Sequence, residues 1–211
     1  EFSSIFDKIT PDVVVVRGDR FEVLAAATAS ALMNIPIAHI EGGDISGLVA
    51  DLVAVNATSQ TDPAGGLLAP GARVITTLNT DASPDNTELS VVAMMLPTND
   101  AFVGLNAQSL PTTVGERVVF NLPAYDAGTE ANDEIIGGGA PGTPGFPAPP
   151  PVAATSGSGG SGVNAVAENF IHIHRNVLGD TDASGGASDI DAVVHRWLNP
   201  VARVIVELTA Q

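Results

Sequence analysis

Three acidic residues in the central part of the chain could bind a cation together. Asp126 and Glu130 lie four residues apart around Ala-Gly-Thr, so the loop can fold back and bring both carboxylates together. Asp100 stands at the turn before another candidate strand, where an antiparallel sheet can bring both loops to one end. Ca²⁺ takes about six to eight oxygen ligands, mostly from carboxylates and carbonyls. The spacing of these three residues alone favours ordinary solvated turn acids, with a calcium site as the alternative interpretation.

Two histidines near the C-terminus form a second candidate metal-binding pair. His172 and His174 alternate with Ile171 and Ile173, so on a β-strand both imidazoles lie on the same side. Two histidines on one face can bind zinc or copper, but they need a further ligand, and the spacing indicates none. We therefore favour a surface or packing role for this pair.

A group of four aspartates also lies in the C-terminal part of the chain. Their spacing lacks the glycine and the terminal glutamate of an EF-hand loop. The sequence therefore predicts a solvated turn here rather than an ion site. The four residues are Asp180, Asp182, Asp189 and Asp191.

The N-terminal part carries another set of reactive side chains. Asp19, His39 and Glu41 offer an acid, a base and an orienting group for anomeric chemistry at a sugar nucleotide. Catalysis also needs a closed pocket around the substrate, and a segment of 47 residues is too short to build one. We therefore expect that the chain is not an enzyme.

The elements that must position the N-terminal residues form a pattern found only in this part of the chain. Residues 12–17 are a valine-rich run, typical of a strand buried on both faces of a parallel sheet. Residues 21–34, rich in Ala and free of Gly and Pro, predict a helix, and residues 35–40 predict a second apolar strand. Residues 1–47 thus predict a single βαβ unit.

From residue 48 onward, short β-rich runs separated by turn sequences replace this pattern. They predict a mainly β fold, an antiparallel β-sandwich, with a short helix at residues 48–57. The stretch 137–162, rich in Pro, Gly and Ser, is predicted to be a surface loop inserted into the sandwich. The predicted strands are residues 72–78, 88–96, 101–105, 116–122, 170–174 and 201–208.

The charge and the residue composition exclude or disfavour several classes of binding partner. The 211 residues contain 24 acidic and 8 basic side chains, giving a formal net charge of -16, which opposes binding to nucleic acid or to an anionic membrane surface. The chain has no cysteine, so disulfides, thiolate zinc sites and cysteine nucleophiles are excluded. No run of apolar residues approaches the roughly 20 that a membrane span needs. Cations are the favoured counterparts.

Three ordered motifs in residues 48–211 resemble the spondin N-terminal domain family, especially its bacterial members. They are LSVVAMMLPTNDAFVGL at residues 89–105, LPAYDAGTE at residues 122–130, and GASD with HRWLNPVARV at residues 186–189 and 195–204. The resemblance implies a secreted, calcium-binding antiparallel β-sandwich that works in adhesion. It also implies that Asp100, Asp126 and Glu130 are the calcium ligands, although family members can carry Asp where this chain has Glu130.

Two strings in the first 47 residues resemble instead a UDP-N-acetylglucosamine 2-epimerase of the UDP-hydrolysing kind. They are PDVVVVRGDRFE at residues 11–22 and IAHIEGGD at residues 37–44. The resemblance implies that residues 18–20 and 39–43 lie at strand ends and face a sugar-nucleotide cleft. Because the two resemblances meet at residues 41–47, we expect a chimeric chain, with an epimerase-like fragment at residues 1–47 and a spondin-like sandwich at residues 48–211.

Together these observations predict a calcium-binding adhesion or scaffolding module that is secreted or lies at the cell surface. Its expected partners are an extracellular polysaccharide, a matrix or cell-surface protein, or further copies of the chain, and not nucleic acid. The first alternative is a structural filament or coat subunit without a small-molecule site. The less favoured alternative is a fragment of a sugar-nucleotide epimerase or hydrolase.

Overall fold

The computed structural model describes Lys8 and residues 14–17, 37–40, 64–79, 86–137 and 145–210. The chain divides into two compact units, one formed by Glu1–Glu88 with Gln211 and the other by Leu89–Ala210. Among the residues that the structure describes, no helix combines the length and the apolar character needed to cross a membrane.

The N-terminal unit contains a pair of parallel strands. Strand β1 (Val14–Arg17) pairs with β2 (Ile37–Ile40), with Val14 opposite Ile37 and Arg17 opposite Ile40. This pairing agrees with the predicted βαβ unit, since parallel neighbours need a crossover connection. The predicted helices at residues 21–34 and 48–57 lie outside the described residues.

Most of the described elements from Glu88 onward are strands. The four-stranded sheet has the order β3-β4-β6-β7, and β5 and β8 form a separate antiparallel pair. A single helical turn, α1 (Pro150–Ala153), is the described helix of this part of the chain. The strands are β3 (Glu88–Met94), β4 (Ala101–Ser109), β5 (Arg117–Leu122), β6 (Ala124–Asp126), β7 (His172–Ile173) and β8 (Ala202–Glu207).

The prediction of a mainly β protein with antiparallel sheets and little helix is confirmed for the described residues. Five of the six strands predicted after residue 48 are present, with bounds shifted by a few residues. Residues 72–78 form no strand, and Ile75 is 80% exposed, so no buried face holds that run in a sheet. Strand β6, which has only three residues, was not predicted.

The apolar core of the C-terminal unit lies between loops. Phe146, Val177 and Ile190 are almost fully buried and pack together, and the partly buried Trp197 packs against them. Phe146 belongs to the stretch predicted as a surface loop, and its backbone N–H donates to the Ile135 carbonyl at 3.0 Å. The described part of that stretch is therefore folded against the unit, because its one large aromatic side chain supplies core surface.

Candidate metal centre

Strand β6 places Asp126 at the centre of the site. In the antiparallel register Asp126 lies opposite Ala101 of β4 on one side and opposite His172 of β7 on the other. Its side chain is completely buried. A buried carboxylate needs hydrogen bonds or a cation to offset its loss of hydration, so the groups around Asp126 decide what this site can do.

The loop after β6 supplies hydrogen bonds that fix the Asp126 carboxylate. Oδ1 accepts a bond from the Gly128 N–H at 2.8 Å, and Oδ2 accepts one from the Asn132 amide at 2.7 Å. Gly128 has a φ of 67°, and a Cβ atom there would collide with the Phe170 carbonyl oxygen. Glycine therefore lets the segment that precedes β7 approach this loop closely.

The same loop meets Asp100 at the turn before β4. Asp100 Oδ2 accepts bonds from the Thr129 N–H at 2.6 Å, the Thr129 hydroxyl at 2.8 Å and the Glu130 N–H at 3.0 Å. The two loops that carry Asp100, Asp126 and Glu130 thus lie together, as the predicted site requires. Their role as metal ligands stays a prediction.

The surroundings of Asp100 disfavour the ionised form of its carboxyl group. It is 6% exposed, and its Oδ1 atom is buried without a hydrogen-bond partner among the described residues. Burial raises the pKa of Asp100, and the neighbouring Asp126 adds to this, although the bonds from Glu130 and Thr129 oppose it. A cation beside Oδ1 would stabilise the ionised form.

Glu168 and His172 complete a second grouping around Asp126. One ligand atom from each of Asp126, Glu168 and His172 can be chosen so that all three lie within 4.8 Å of one another. Glu168 Oε2 and His172 Nε2 are buried and have no hydrogen-bond partner in the described part of the chain. Sequence reasoning missed Glu168, because it lies in an irregular segment and the signal was only its four-residue spacing from His172.

The two predicted histidines both approach Asp126 but have different surroundings. Their Nε2 atoms lie 3.9 Å (His172) and 3.7 Å (His174) from Asp126 Oδ2. His174 is buried against the Trp197 ring, with ring centroids 5.2 Å apart, and its Nδ1 accepts a bond from the Asn176 N–H. Burial lowers the pKa of His174, although Asp126 opposes this effect. The packing role expected for the pair therefore describes His174 well.

The group of four aspartates is only partly the solvated turn that was predicted. Asp180, Asp182 and Asp191 accept bonds from nearby loop amides. Asp189 departs from the prediction because it is 2% exposed, with bonds from the N–H groups of Ile136 and Gly160, both at 2.8 Å. Its charge is satisfied by the chain itself and ties three loops together.

Of the three candidate catalytic residues in the N-terminal unit, one lies on the parallel strand pair. His39 lies on β2 opposite Val16 of β1. Because the strands are parallel, their carboxyl ends, Arg17 and Ile40, lie at the same edge. Asp19 and Glu41 follow these ends in the sequence and lie outside the described residues.

The N-terminal segment is similar to sugar-nucleotide epimerases. Residues 1–59 match the profile of the family described as UDP-N-acetylglucosamine 2-epimerase. A UDP-N,N'-diacetylbacillosamine 2-epimerase (hydrolyzing) of Legionella pneumophila is 50% identical over 52 residues, which are 25% of this chain and 14% of that protein. A UDP-N-acetylglucosamine 2-epimerase of Neisseria meningitidis serogroup B is 47% identical over 51 residues, 24% of this chain and 14% of that protein.

The similarity covers only a small part of these relatives. The chain spans about one seventh of the length of the two proteins named above. No solved structure matches the chain significantly. The resemblance of the N-terminal segment to the epimerases is confirmed, whereas the spondin resemblance of residues 48–211 receives no support from these matches.

The predicted adhesion or scaffolding function is wrong. Residues 1–59 match an epimerase family, and none of the proteins named above concerns adhesion. The less favoured alternative, an epimerase fragment, agrees better with them. The expectation that the chain is not an enzyme is not confirmed either, because part of the chain matches an enzyme family.

Proposed function

We propose that residues 1–59 are the sugar-nucleotide-binding segment of a unit related to the UDP-N-acetylglucosamine 2-epimerases. The parallel pair β1–β2 is the observation that carries this proposal. Ligands of parallel α/β sheets bind beyond the carboxyl ends of the strands. In this chain Gly-Asp-Arg follows β1 and Glu-Gly-Gly follows β2, and both strings lie within the matched residues.

The chemistry of these strings suits a UDP-sugar. Arg20 can pair with phosphate, and the glycines allow the backbone to approach a ligand closely. Asp19, His39 and Glu41 can act as acid, base and orienting group at the anomeric centre. The matched relatives are much longer than this segment, so we assign it sugar-nucleotide binding rather than a complete catalytic cycle.

Titration calorimetry of the full chain with UDP-N-acetylglucosamine tests this proposal. We expect saturable binding that weakens at least about tenfold in Asp19→Asn, because an amide is a weaker acceptor for the hydroxyl groups of the sugar than a carboxylate. Asp191→Asn in the C-terminal unit is the matched control and should bind like the unchanged chain. Absence of binding by the unchanged chain, or equal binding by Asp19→Asn, would contradict the proposal. Release of UDP, followed by chromatography, would extend it to hydrolysis.

We propose a second function for the C-terminal unit, the binding of Ca²⁺ through Asp100, Asp126 and Glu130. The buried Oδ1 atom of Asp100 is the observation that favours it, because this oxygen is not hydrogen-bonded by any described group. The donor chemistry fits a hard cation, which prefers carboxylate oxygens on loops. The resemblance to the spondin N-terminal domain family supports this ligand set, a sandwich packing of the sheets, and a secreted or cell-surface location.

Thermal unfolding with calcium and with a calcium chelator tests the second function. A ligand that binds only the folded state adds about 2.7 kcal/mol at one hundred times its dissociation constant. We expect calcium to raise the melting temperature, and Asp126→Ala to abolish the increase. His172→Ala should retain it, because an imidazole is not a calcium ligand in this proposal. A melting temperature that changes with neither calcium nor chelator would exclude the site.

A further inference from the structure

We propose that Asp126, Glu168 and His172 form a binding site for a transition metal of the zinc class, where β6 and β7 pair. The site shares Asp126 with the proposed calcium site, but it does not depend on calcium binding. It differs in donor chemistry, since it adds an imidazole nitrogen and a carboxylate from a different segment of the chain.

The hydrogen bonding of His172 leaves one ring nitrogen available to a metal. Nδ1 lies 2.9 Å from the carbonyl oxygen of Ile173. A carbonyl oxygen only accepts hydrogen bonds, so Nδ1 carries the proton, and Nε2 of the neutral ring keeps its lone pair. Metal-binding histidines usually donate the other N–H to a carbonyl or carboxylate in this way. This hydrogen bond therefore leaves Nε2 of His172 as the nitrogen that can bind a metal.

The atoms that face His172 Nε2 have the geometry and charge of a ligand set. Asp126 Oδ2 lies 3.9 Å from it, and one ligand atom from each of the three residues can be chosen so that all lie within 4.8 Å of one another. Tetrahedral zinc with bonds of about 2.0–2.1 Å places its ligand atoms about 3.3 Å apart. Rotation of the His172 and Glu168 side chains would have to close this difference, because hydrogen bonds fix the Asp126 carboxylate. Two carboxylates and one neutral imidazole would balance the charge of a divalent ion.

Without a metal, this cluster contains buried polar atoms that the described chain does not satisfy. Glu168 Oε2 and His172 Nε2 are both buried, and neither is hydrogen-bonded within the described ranges. An unsatisfied buried polar atom costs about 1–3 kcal/mol, and more when it is charged. One cation between the two atoms would remove both costs, which is why we assign the cluster to a ligand rather than to structure.

The backbone holds the three ligands in place. Asp126 and His172 are register partners on β6 and β7. The Asn169 N–H donates to the Gly128 carbonyl at 2.8 Å, which attaches the Glu168 segment to the loop after Asp126. The bonds that Asp126 accepts from Gly128 and Asn132 fix its carboxylate in orientation. A supported ligand set of this kind favours tight binding.

His174 supports the site and is not one of its ligands. Its Nδ1 accepts the Asn176 N–H at 2.9 Å, so the proton of the neutral ring is on Nε2. That N–H is then the donor to the Asn132 side-chain oxygen at 3.2 Å. Both nitrogens are thus occupied. Three protein ligands leave the fourth position of a tetrahedral ion open for water or an exogenous ligand.

The test measures zinc binding by the full chain in equilibrium dialysis, and Co²⁺ absorption as a report of coordination. We expect one zinc ion per chain, with affinity reduced at least about tenfold in His172→Ala and in the near-isosteric Glu168→Gln. His195→Ala is the matched control and should bind zinc normally, because this histidine bonds Thr155 and lies outside the cluster. Absence of zinc binding by the unchanged chain would overturn the proposal, as would unchanged affinity in both ligand variants when circular dichroism shows them folded.

A parallel titration with Ca²⁺ separates this proposal from the calcium site. His172→Ala should lose zinc and keep calcium, whereas Asp100→Asn should lose calcium and keep zinc. Failure of zinc binding alone would remove the zinc site and leave the calcium site intact. Loss of both metals in His172→Ala, in a folded protein, would overturn the assignment of a separate imidazole-containing centre.

Discussion

Two groups of acids in the C-terminal unit differ in what binds their oxygens. The amide-bound acids, Glu134, Asp180 and Asp189, accept hydrogen bonds from loop N–H groups on both carboxylate oxygens. The open acids, Asp100 and Glu168, each have a buried oxygen that no described group hydrogen-bonds. Most buried polar groups in folded proteins have a partner. Burial of an acid therefore does not by itself indicate a ligand site, whereas a buried oxygen left open does. Asp126, whose two oxygens are both hydrogen-bonded, is assigned as a ligand because it lies beside Glu168 and His172, which carry such open atoms.

The structural role of the amide-bound acids explains how loops with few apolar side chains stay folded. Glu134 Oε1 accepts the Leu178 N–H at 2.7 Å, while Oε2 accepts the Gly179 N–H and the Ser188 hydroxyl at 2.8 and 2.7 Å. One carboxylate thus joins two distant segments. Each open acid has one buried oxygen that makes no such link. A replacement that keeps the remaining bonds should therefore affect ligand binding more than folding.

The largest expected effect is that of Glu134→Ala on stability. The change leaves two backbone N–H groups and one hydroxyl without their acceptor, and we expect a loss of about 3 kcal/mol in the free energy of unfolding. Urea unfolding in the presence of a chelator measures it. Glu168→Ala is the matched control and should cost less than about 1 kcal/mol, because it removes an oxygen that is already unsatisfied. Equal losses in the two variants would remove the distinction between the groups.

The next effect is the loss of the calcium response in Asp100→Asn. The variant keeps the shape of the side chain and one oxygen for the Thr129 and Glu130 N–H groups, so the metal-free protein should stay folded. It removes a charge that burial already disfavours. We expect the gain of about 2.7 kcal/mol at one hundred times the dissociation constant to disappear. Calcium-dependent melting curves measure this, and a full calcium shift in the variant would exclude Asp100 as a ligand.

A smaller effect is expected in the pH dependence of stability at Asp180. The N–H groups of Ser188, Asp182 and Ala187 hold the pKa of Asp180 below its ordinary value of 3.8. Its folded pKa is therefore lower than its unfolded pKa, so the stability it contributes is present above about pH 4 and is lost as the pH falls towards the lowered pKa. The stability difference between the unchanged chain and Asp180→Asn should shrink over this range. A difference that stays constant in urea unfolding at several pH values would contradict the assignment.

The strands were easier to predict from the sequence than the site. Strand β8 alternates half-buried and exposed residues along Ala202–Glu207. A run of this kind, rich in β-branched residues, predicts a strand from the sequence alone. Strand β6 has three residues, too few to show a pattern, although it carries Asp126. Glu168 lies at the site through tertiary contacts: the Asn169 N–H donates to the Gly128 carbonyl, and Gly128 permits a close approach of the Phe170 backbone. Spacing and turn position along the chain marked Asp100 and Asp126 as candidate ligands, but they favoured a surface or packing role for His172 and gave no indication of Glu168.

An exposed ion pair provides a reference for the changes in unfolding free energy expected at the two groups of acids. Glu207 on β8 lies opposite Arg117 on β5, with 3.2 Å between Oε2 and the Arg117 Nε, and both side chains are about half exposed. Water screens such a pair, so we expect Glu207→Gln to change the free energy of unfolding by less than about 0.5 kcal/mol, and less still at high salt. Urea unfolding at low and high ionic strength measures it. A loss as large as that of Glu134→Ala would mean that the stability of this unit depends on this exposed ion pair as much as on the amide bonds to its buried acids.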